Sequence, residues 1–311
     1  MSAGGPVEPS ASTDAPVRAR SATAESGHAR ELERPPLPEP LHVAVADSHC
    51  HLDIHDGDVG APWLTVEAAL EAAASVGVTR IVQVGCDLPS ARWSVQAAAE
   101  HEHVVATVAL HPNEAPRIHA AGGEAALEAA YAEIAELAAH PRVRAVGETG
   151  LDFFRTGEDG RGVQEESFRR HIRLAKELGK PVMIHDRDAH DDVIRVLEDE
   201  GAPQTVVFHC YSGDAAMAEY CTARGWYLSF AGTVTFKNAR ALREAVAVAP
   251  LDRLLVETDA PYLTPTPYRG RPNASYLVPL TVRVMAESAG VDEDTLAAAL
   301  WANTQRVFGP W

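Results

Sequence analysis

The sequence predicts an α/β fold, a (β/α)8 barrel of the TIM type, and three observations lead to this prediction. Its 311 residues suit one large domain of alternating strands and helices. From about residue 43 onward, short apolar runs alternate with segments of helical periodicity. Five of the apolar runs end in side chains that commonly bind metals, and a closed ring of strands brings such ends together. A doubly wound open sheet is the alternative, but it concentrates its site at one switch point.

Residues 1–42 precede the barrel and are predicted to form a disordered tail. Pro, Ala, Ser, Glu and Arg mix there without apolar periodicity, and residues 35–40 are rich in proline. Such a segment buries too little apolar surface to offset its chain entropy. It also lacks the apolar centre of a signal peptide. We therefore assign the barrel to residues 43–311 and expect removal of residues 1–42 to leave folding and activity nearly intact.

Eight strand-like runs supply the predicted barrel wall, and helical segments lie between and after them. The strands are expected to begin near Val43, Arg80, Val104, Val143, Pro181, Thr205, Trp226 and Leu254. Helical periodicity is clearest in residues 65–76, 91–100, 124–138, 165–178, 192–197, 277–289 and 293–307.

Two histidines one residue apart follow the first strand. Alternate residues of a strand share a face, so His49 and His51 are expected to point the same way. The pair has the spacing of a metal-chelating site, although two polar residues leaving a sheet would give the same pattern.

Four more strands end in side chains of the same kind. Glu148 follows the fourth, His185 the fifth, His209 the sixth and Asp259 the eighth. Such side chains are rarely fully buried unless they are paired or bound to a metal. Because barrel enzymes place catalysis at the C-terminal ends of their strands, we predict one shared site.

Composition bounds the partners and the compartment. The formal charge of −17 argues against a stable nucleic-acid-binding protein, which normally presents a basic surface. It argues less against an enzyme that binds a polyanion transiently, since bound cations dominate the field of their own site. Four cysteines without C-x-x-C spacing favour a reducing cytoplasm. No run approaches the roughly 20 apolar residues of a membrane span, and no stable protein partner is inferred.

The number of candidate ligands predicts two metal ions. Four histidines and two carboxylates exceed the four ligands of a single tetrahedral structural site. Two ions about 3.5–4 Å apart that share a carboxylate suit the count. Imidazole-rich ligation favours Zn²⁺, while the mixed nitrogen and oxygen set leaves Mn²⁺ and Mg²⁺ open.

Six ordered motifs resemble those of the TatD family of metal-dependent hydrolases, near the amidohydrolase superfamily. They are DSHCHLD at 47–53, GETGLD at 147–152, IHDRDA at 184–189, FHCYSG at 208–213, LVETDAPYL at 255–263 with Arg269 and Gly270, and NTQRVF at 303–308. The resemblance extends from residue 47 to about residue 308. It implies a TIM barrel of the metal-dependent hydrolase type.

The resemblance also implies roles for the strand-end residues. His49 and His51 would hold one metal with Asp259, Glu148 would bridge, and the remaining two ligands, His185 and His209, would hold the second. Asp259 would accept a proton from the attacking water, and Glu148 would be the second catalytic residue. Family members are similar to deoxyribonucleases, so the implied substrate is DNA, bound transiently and hydrolysed from a free 3′ end.

Four further residues are expected to contact substrate: His111, Arg187, Tyr211 and Arg269. Arg187 could bind a phosphate bidentately or only pair with a neighbouring aspartate, and Tyr211 could reach the scissile group or only pack. The family more often has a histidine at the position of Asn113. Glu257 is predicted either to support a metal ligand or to form an ordinary ion pair.

Two other functions remain open at this point. A dinuclear centre also attacks carbonyl carbon, so an amide or ester hydrolase, such as an aminoacyl-tRNA deacylase, is the alternative enzyme. A protein that holds metal without catalysis is the third interpretation, but it would not need Glu148 and Asp259.

Overall fold

The computed structural model describes residues 13, 16–23, 30–57, 64–309 and 311. Eight parallel strands form a nearly closed barrel in this part of the chain, and helices alternate with the strands. The predicted (β/α)8 TIM barrel is confirmed.

The described strands are β1 Arg18–Arg20, β2 Val45–Cys50, β3 Ile54–Asp56, β4 Val78–Gly85, β5 Val104–Val108, β6 Val143–Asp152, β7 Val182–Arg187, β8 Val206–Phe208, β9 Tyr227–Phe230 and β10 Leu254–Val256. The described α-helices are α1 Val66–Ser75, α2 Leu88–Glu100, α3 Glu114–Ala138, α4 Glu158–Leu178, α5 His190–Glu200, α6 Ala215–Ala223, α7 Arg240–Val248, α8 Val278–Ala289 and α9 Glu293–Phe308. Short 3-10 helices span Gly232–Thr235, Leu251–Arg253 and Ser275–Leu277.

The barrel sheet has the strand order β10-β9-β8-β7-β6-β5-β4-β2. Hydrogen bonds at the C-terminal ends bring its first and last strands together. The Asp259 amide donates to the His49 carbonyl at 2.9 Å, and the His51 amide donates to the Ala260 carbonyl at 2.8 Å. The closure therefore joins the two histidines to the segment that carries Asp259.

The predicted strand starts lie within two residues of the observed ones, whereas two helices begin about seven to ten residues earlier than predicted. The helix predicted at 124–138 begins at Glu114, because the backbone break at Gly123 (φ 68) interrupts its apolar periodicity. The helix predicted at 165–178 begins at Glu158. Its first turn is polar and partly solvated, so it carries no apolar repeat.

An apolar layer fills the inside of the barrel below the site. Its members are Val82, Val84, Cys86, Val105, Ala145, Met183, Val207, Tyr227 and Leu255, with Val307 and Phe308 of α9 packed against them. Met183 forms part of the floor of the site, because its sulfur lies 3.1 Å from His49 Nδ1.

The N-terminal segment differs from the disordered tail that the sequence predicts. Residues Arg18–Arg20 pair in parallel with Ile54–Asp56, the Tyr276 hydroxyl donates to the Pro35 carbonyl, and Leu41 is buried in the core. The barrel binds this segment mainly through the segment's backbone groups, so the segment needs no periodic apolar face to pack. Residues 1–12, 14–15 and 24–29 of the predicted tail lie outside the described residues, and the domain boundary at residue 43 stays a prediction.

None of the described helices combines the length and the apolar character needed to cross a lipid bilayer.

Candidate metal centre

The six predicted metal ligands lie together at the C-terminal mouth of the barrel. They are His49, His51, Glu148, His185, His209 and Asp259. His49 is fully buried, and the Asp259 side chain is 15% exposed. Asp259 therefore lies nearer than His49 to the opening through which a substrate must arrive.

His49, His51 and Asp259 form the first group of donors. The two histidine Nε2 atoms are 3.3 Å apart, and Asp259 Oδ1 lies 3.4 Å from His51 Nε2 and 3.7 Å from His49 Nε2. His51 Nδ1 lies 3.1 Å from the Val84 carbonyl, to which it can only donate. A neutral His51 therefore presents a lone pair at Nε2, as a metal ligand must.

Glu148 organises the second group. Its Oε1 lies 2.5 Å from His185 Nδ1, 2.8 Å from His209 Nε2 and 3.5 Å from His111 Nε2. His111 is thus a member of the cluster, whereas the sequence assigns it to substrate. Imidazole nitrogens and a carboxylate oxygen again converge on one small volume.

The Glu148 carboxylate lies between the two groups. While Oε1 faces the second group, Oε2 lies 3.6 Å from His49 Nε2 in the first group. It is also 3.3 Å from the sulfur of Cys86. This position suits the bridging role that the family resemblance implies for Glu148.

Glu257 supports the His209 ring from behind. His209 Nδ1 donates to Glu257 Oε1 at 3.2 Å, and the Cys210 amide donates to the same oxygen at 2.8 Å. Glu257 is fully buried. The contact orients Nε2 of His209 toward Glu148, which corresponds to the first of the two interpretations of Glu257 that the sequence allows.

Burial and charge oppose each other in the pKa values of the centre. Burial raises the pKa of Glu148, but the charges of His209 and His111 outweigh it and hold that pKa well below its usual value. Burial lowers the pKa of His209, but Glu148 and Glu257 raise it well above its usual value. The contacts between Glu148 and the histidines therefore oppose the effect of burial on both groups.

Asp47 holds the backbone that leads to Asp259. The Thr258 amide and hydroxyl donate to its carboxylate at 2.9 and 2.5 Å. Burial raises the pKa of Asp47 to about 7, although hydrogen bonds from Thr258 and Ser275 oppose the shift. Asp47 therefore holds the loop after β10 in place.

Two of the other predicted substrate contacts, Arg187 and Arg269, are exposed arginines that lie against aromatic rings. Arg187 is exposed, and its guanidinium lies 3.9 Å from the ring centre of Phe154. The neighbouring carboxylate of Asp186 is paired with His190. Arg269 is also exposed and lies 3.9 Å from the ring centre of Phe236 on the loop after β9.

Tyr211 is buried, whereas a residue that contacts substrate must be accessible from the mouth of the barrel. It is 2% exposed, its hydroxyl donates to the Asp214 carbonyl at 2.7 Å, and its ring packs on Phe230. The packing alternative applies here, because the hydroxyl is already bonded within its own loop.

The sequence interpretation missed Cys86 and Asp152. Cys86 directly follows β4, so the rule that found the other strand-end residues includes it. Asp152 Oδ2 lies 3.5 Å from His185 Nε2 and accepts from Asn113 Nδ2 at 2.9 Å. Burial raises the pKa of Asp152, but the nearby His185 ring and the hydrogen bond from Asn113 bring it below its ordinary value. Its period-two spacing from Glu148 along β6 was the available signal.

The donors of this centre fit divalent cations. The Nε2 atoms of His49 and His51 lie 3.3 Å apart, and when both rings are neutral with the proton on Nδ1, both lone pairs point into the same space, as two ligands of one cation require. Among the described residues, His185 Nε2 is also buried without a hydrogen-bond partner. Imidazole nitrogens mixed with carboxylate oxygens are a set that Zn²⁺ and Mn²⁺ accept.

The chain is similar along most of its length to known metal-dependent hydrolases. A model of the family described as TatD related DNase matches residues 46–309. The uncharacterized metal-dependent hydrolase TatD of Mycobacterium tuberculosis is 49% identical over 272 residues, which cover 85% of this chain and 98% of the relative. A relative from Escherichia fergusonii, named 3'-5' ssDNA/RNA exonuclease TatD, is 36% identical over 248 residues, 76% of this chain and 90% of the relative. The crystal structure of the TatD homologue YjjV from Escherichia coli superposes with a TM-score of 0.74 at 29% identity, covering 85% of this chain and 97% of the other.

Proposed function

The chain belongs to the TatD family of metal-dependent hydrolases, and from this premise we propose that it is a deoxyribonuclease. It hydrolyses phosphodiester bonds of DNA and removes nucleotides from a free 3′ end, at a centre of two divalent cations. The name of the Escherichia fergusonii relative supports this direction of attack.

The position of Glu148 between two donor groups carries the proposal. His49, His51 and Asp259 would hold one cation, the histidines around Glu148 Oε1 would hold the other, and Glu148 would contact both. When bound, two such cations offset the charge on the attacking and leaving oxygens of a phosphoryl group. A phosphodiester needs this neutralisation at both oxygens, which favours it over a simple carbonyl substrate.

Asp259 is the residue that takes the proton. Its side chain is the most exposed of the first donor group, so a water at the opening can reach its carboxylate. The hydrogen bond that the Asp259 amide donates to the His49 carbonyl and the one that the Thr258 amide donates to Asp47 hold its backbone in place. Asp259 adopts a left-handed conformation (φ 54), which costs energy in a residue other than glycine and is common at functional sites.

The rim of the mouth offers groups that suit single-stranded nucleic acid. Phe154 is 62% exposed and stacks with Arg187. Tyr262 is 36% exposed, and its ring lies 6.2 Å from that of His51. Exposed aromatic rings stack with bases, and an arginine beside them binds the backbone phosphate. These groups would attract a nucleic acid locally, although the net charge of −17 repels it.

A substrate panel tests the proposal. We would strip the full-length protein of metal, add Mg²⁺, Mn²⁺ or Zn²⁺, and supply 5′-labelled single-stranded DNA, RNA of the same sequence and an aminoacyl ester. The expected product is a ladder of DNA shortened from the 3′ end. Asp259→Asn should lower the rate by about 10²–10⁴-fold, as loss of a general base does. Asp252→Asn is the matched control, because Asp252 is 61% exposed and outside the centre.

Two results would overturn the proposal. Consumption of the aminoacyl ester with intact DNA would assign the protein to the alternative class of hydrolases. Near-normal turnover of DNA by Asp259→Asn would remove the role of this carboxylate.

A further inference from the structure

The N-terminal strand β1 lies at the mouth of the barrel, beside the first donor group. It pairs in parallel with β3, which follows the histidine pair in the chain, and places Arg20 opposite Asp56. Side chains alternate along a strand, so Arg18 and Arg20 share one face, and both are partly buried. Val17 and Ala19, on the other face, are exposed. The strand therefore directs two arginines toward the barrel.

This strand lies outside the region that the family model describes, which begins at residue 46. The Mycobacterium tuberculosis relative is matched over 98% of its own length by 85% of this chain. That relative therefore has almost no residues left to form a counterpart of β1. Any effect of the two arginines on the metal centre is an addition to the pattern that the family model covers.

Arg18 holds the segment that leaves His51. Its Nη2 donates to Asp53 Oδ2 at 3.2 Å, and its backbone amide donates to the Asp53 carbonyl at 3.2 Å. Asp53 is fully buried and also accepts from Gln83 Nε2 at 2.9 Å. A buried carboxylate is costly unless it is paired with a charge. Arg18 therefore stabilises Asp53, two residues after a predicted metal ligand.

Arg20 holds the segment that leaves Asp259. Its Nη1 donates to the Pro261 carbonyl at 2.5 Å and to Asp56 Oδ1 at 3.3 Å. Its guanidinium lies 4.7 Å from the ring centre of Tyr262, within the range of a cation–π contact. The two arginines of β1 thus contact the two chain segments that follow ligands of the same donor group.

The segment after Asp259 depends on contacts of this kind. Asp259 (φ 54) and Leu263 (φ 55) both adopt the left-handed conformation, which costs energy in residues other than glycine and persists only where the surrounding structure fixes it. Asn273 Nδ2 anchors the segment by donating to the Tyr262 carbonyl at 2.5 Å. Arg20 anchors the carbonyl immediately before it, so loss of Arg20 should free the backbone close to Asp259.

We propose that β1 supports the first cation site, with Arg20 as a positioning residue that fixes Asp259 against the histidine pair. This inference rests on the proposed centre of two cations. Arg20 contacts neither cation and acts through Pro261 and Tyr262 on the backbone that carries Asp259. Loss of Arg20 should therefore weaken the binding of one cation and leave the other, in the second donor group, unchanged.

Removal of metal by a chelator tests this role in the full-length, metal-loaded protein. Wild type and Arg20→Ala would be incubated with increasing EDTA, and the metal remaining per chain would be counted by elemental analysis after gel filtration. One of the two cations should leave Arg20→Ala at a free-metal concentration about tenfold higher than in the wild type, the lower limit for loss of a group that orients a ligand. Arg20→Lys keeps a charge and donors for the Pro261 carbonyl, so it should recover most of the affinity.

Arg253→Ala is the matched control. Arg253 lies at the opposite end of the barrel, directly before β10, and its side chain is 27% exposed, against 24% for Arg20. It donates to the carbonyl and carboxylate of Asp252 and lies 5.3 Å from the ring centre of Tyr227. Its loss should lower the thermal midpoint about as much as loss of Arg20, while both cations stay bound as in the wild type. The comparison separates the positioning of a ligand from a general effect on stability.

A double variant identifies the cation that Arg20 affects. In the Asp259→Asn protein the first donor group has already lost its carboxylate, so adding Arg20→Ala should have no further effect on metal retention. Additive losses in the double variant would show that Arg20 acts independently of Asp259, and the proposal would then be wrong.

Equal retention of both cations by the wild type and Arg20→Ala would overturn the role of Arg20. So would equal metal loss in Arg20→Ala and Arg253→Ala. A wild type that holds no cations would overturn the proposed function and this inference with it, so the two failures are distinguishable.

Discussion

At the scale of the residue, the centre contains buried ionisable side chains, and each of them lies next to a side chain of opposite charge. Glu148 is 4% exposed, and an isolated carboxylate there would be protonated. The histidines around Glu148 reverse this effect and keep its pKa low. The same interaction raises the pKa of His209, so a metal must displace protons from the site when it binds.

Glu148→Gln should remove most of the activity and part of the bound metal while the barrel still folds. An amide is a poor ligand to share between two cations, so a fall of at least about 10–100-fold in rate is expected. Elemental analysis and turnover would be measured together. Glu102→Gln, at a side chain that is 87% exposed, is the control. Full metal content with full activity would contradict the bridging role.

The buried residue His171 should make the stability of the protein depend on pH. Its Nε2 accepts from the Leu110 amide at 3.2 Å, and its Nδ1 donates to the Ser167 carbonyl at 2.7 Å. Only the neutral ring makes both bonds. Burial accordingly lowers the pKa of His171 from 6.5 to about 4.

Stability should therefore fall as the pH decreases from about 6.5 to about 4. Above this window neither state is protonated at His171. Within it the unfolded chain binds a proton that the folded protein excludes, which costs roughly 3 kcal/mol in the free energy of unfolding. Below the window both states are protonated and the loss stops. Urea unfolding across this range should show a smaller decrease in the free energy of unfolding for His171→Gln than for the wild type. His119→Gln is the control, because His119 is exposed, and it should keep the full decrease.

At the scale of the element, close contact between β6 and β7 places Glu148 against His185. A side chain at Gly150 (φ 140) would lie 2.0 Å from the His185 carbonyl, and one at Gly147 would lie 2.5 Å from Cβ of Met183. The lack of side chains at these two positions lets the strands approach. The distance of 2.5 Å between Glu148 Oε1 and His185 Nδ1 depends on this approach.

Gly150→Ala should displace β7 and disrupt the second donor group. The added carbon meets backbone that cannot yield, and the positive φ is strained for alanine. Both the thermal midpoint and the metal content should fall. Gly162→Ala is the matched control, because its added carbon meets no atom within 4 Å on an exposed helix, where alanine stabilises by about 0.5–1 kcal/mol. Equal behaviour of the two variants would contradict this account of the β6 and β7 contact.

At the scale of the whole molecule, the N-terminal segment completes the barrel surface. Arg271 donates to the carbonyls of Glu33 and Arg34, and Arg283 donates to that of Glu39. The Leu41 amide donates to the Val76 carbonyl, and its side chain is 6% exposed. These contacts bind the proline-rich stretch along its length.

Removal of residues 1–42 should therefore destabilise the protein, in contrast to the expectation from sequence. Loss of the buried Leu41 alone should cost about 1.5–3 kcal/mol, or a fall of roughly 3–12 °C in the midpoint at this domain size. Differential scanning calorimetry of the truncated protein measures the shift. Removal of residues 1–12 alone is the control, because it keeps all of these contacts. An unchanged midpoint after the longer deletion would restore the original expectation.

The sequence by itself determined the barrel and predicted that six candidate metal-binding side chains meet at its mouth. Strand alternation pairs His49 with His51, and parallel strands that all end at one rim bring Glu148, His185 and Asp259 to the same place. These patterns are local and repeat along the chain, so they predict the fold without knowledge of the tertiary contacts.

Only the tertiary structure decided the remaining contacts. The ring of His111 turned toward Glu148, Tyr211 bonded to its own loop, and Asp47 bonded across the closure to Thr258. The docking of residues 30–42 likewise uses backbone carbonyls that accept from distant arginines. No periodicity records such bonds, because each depends on a partner far away in the sequence that folding alone brings within reach.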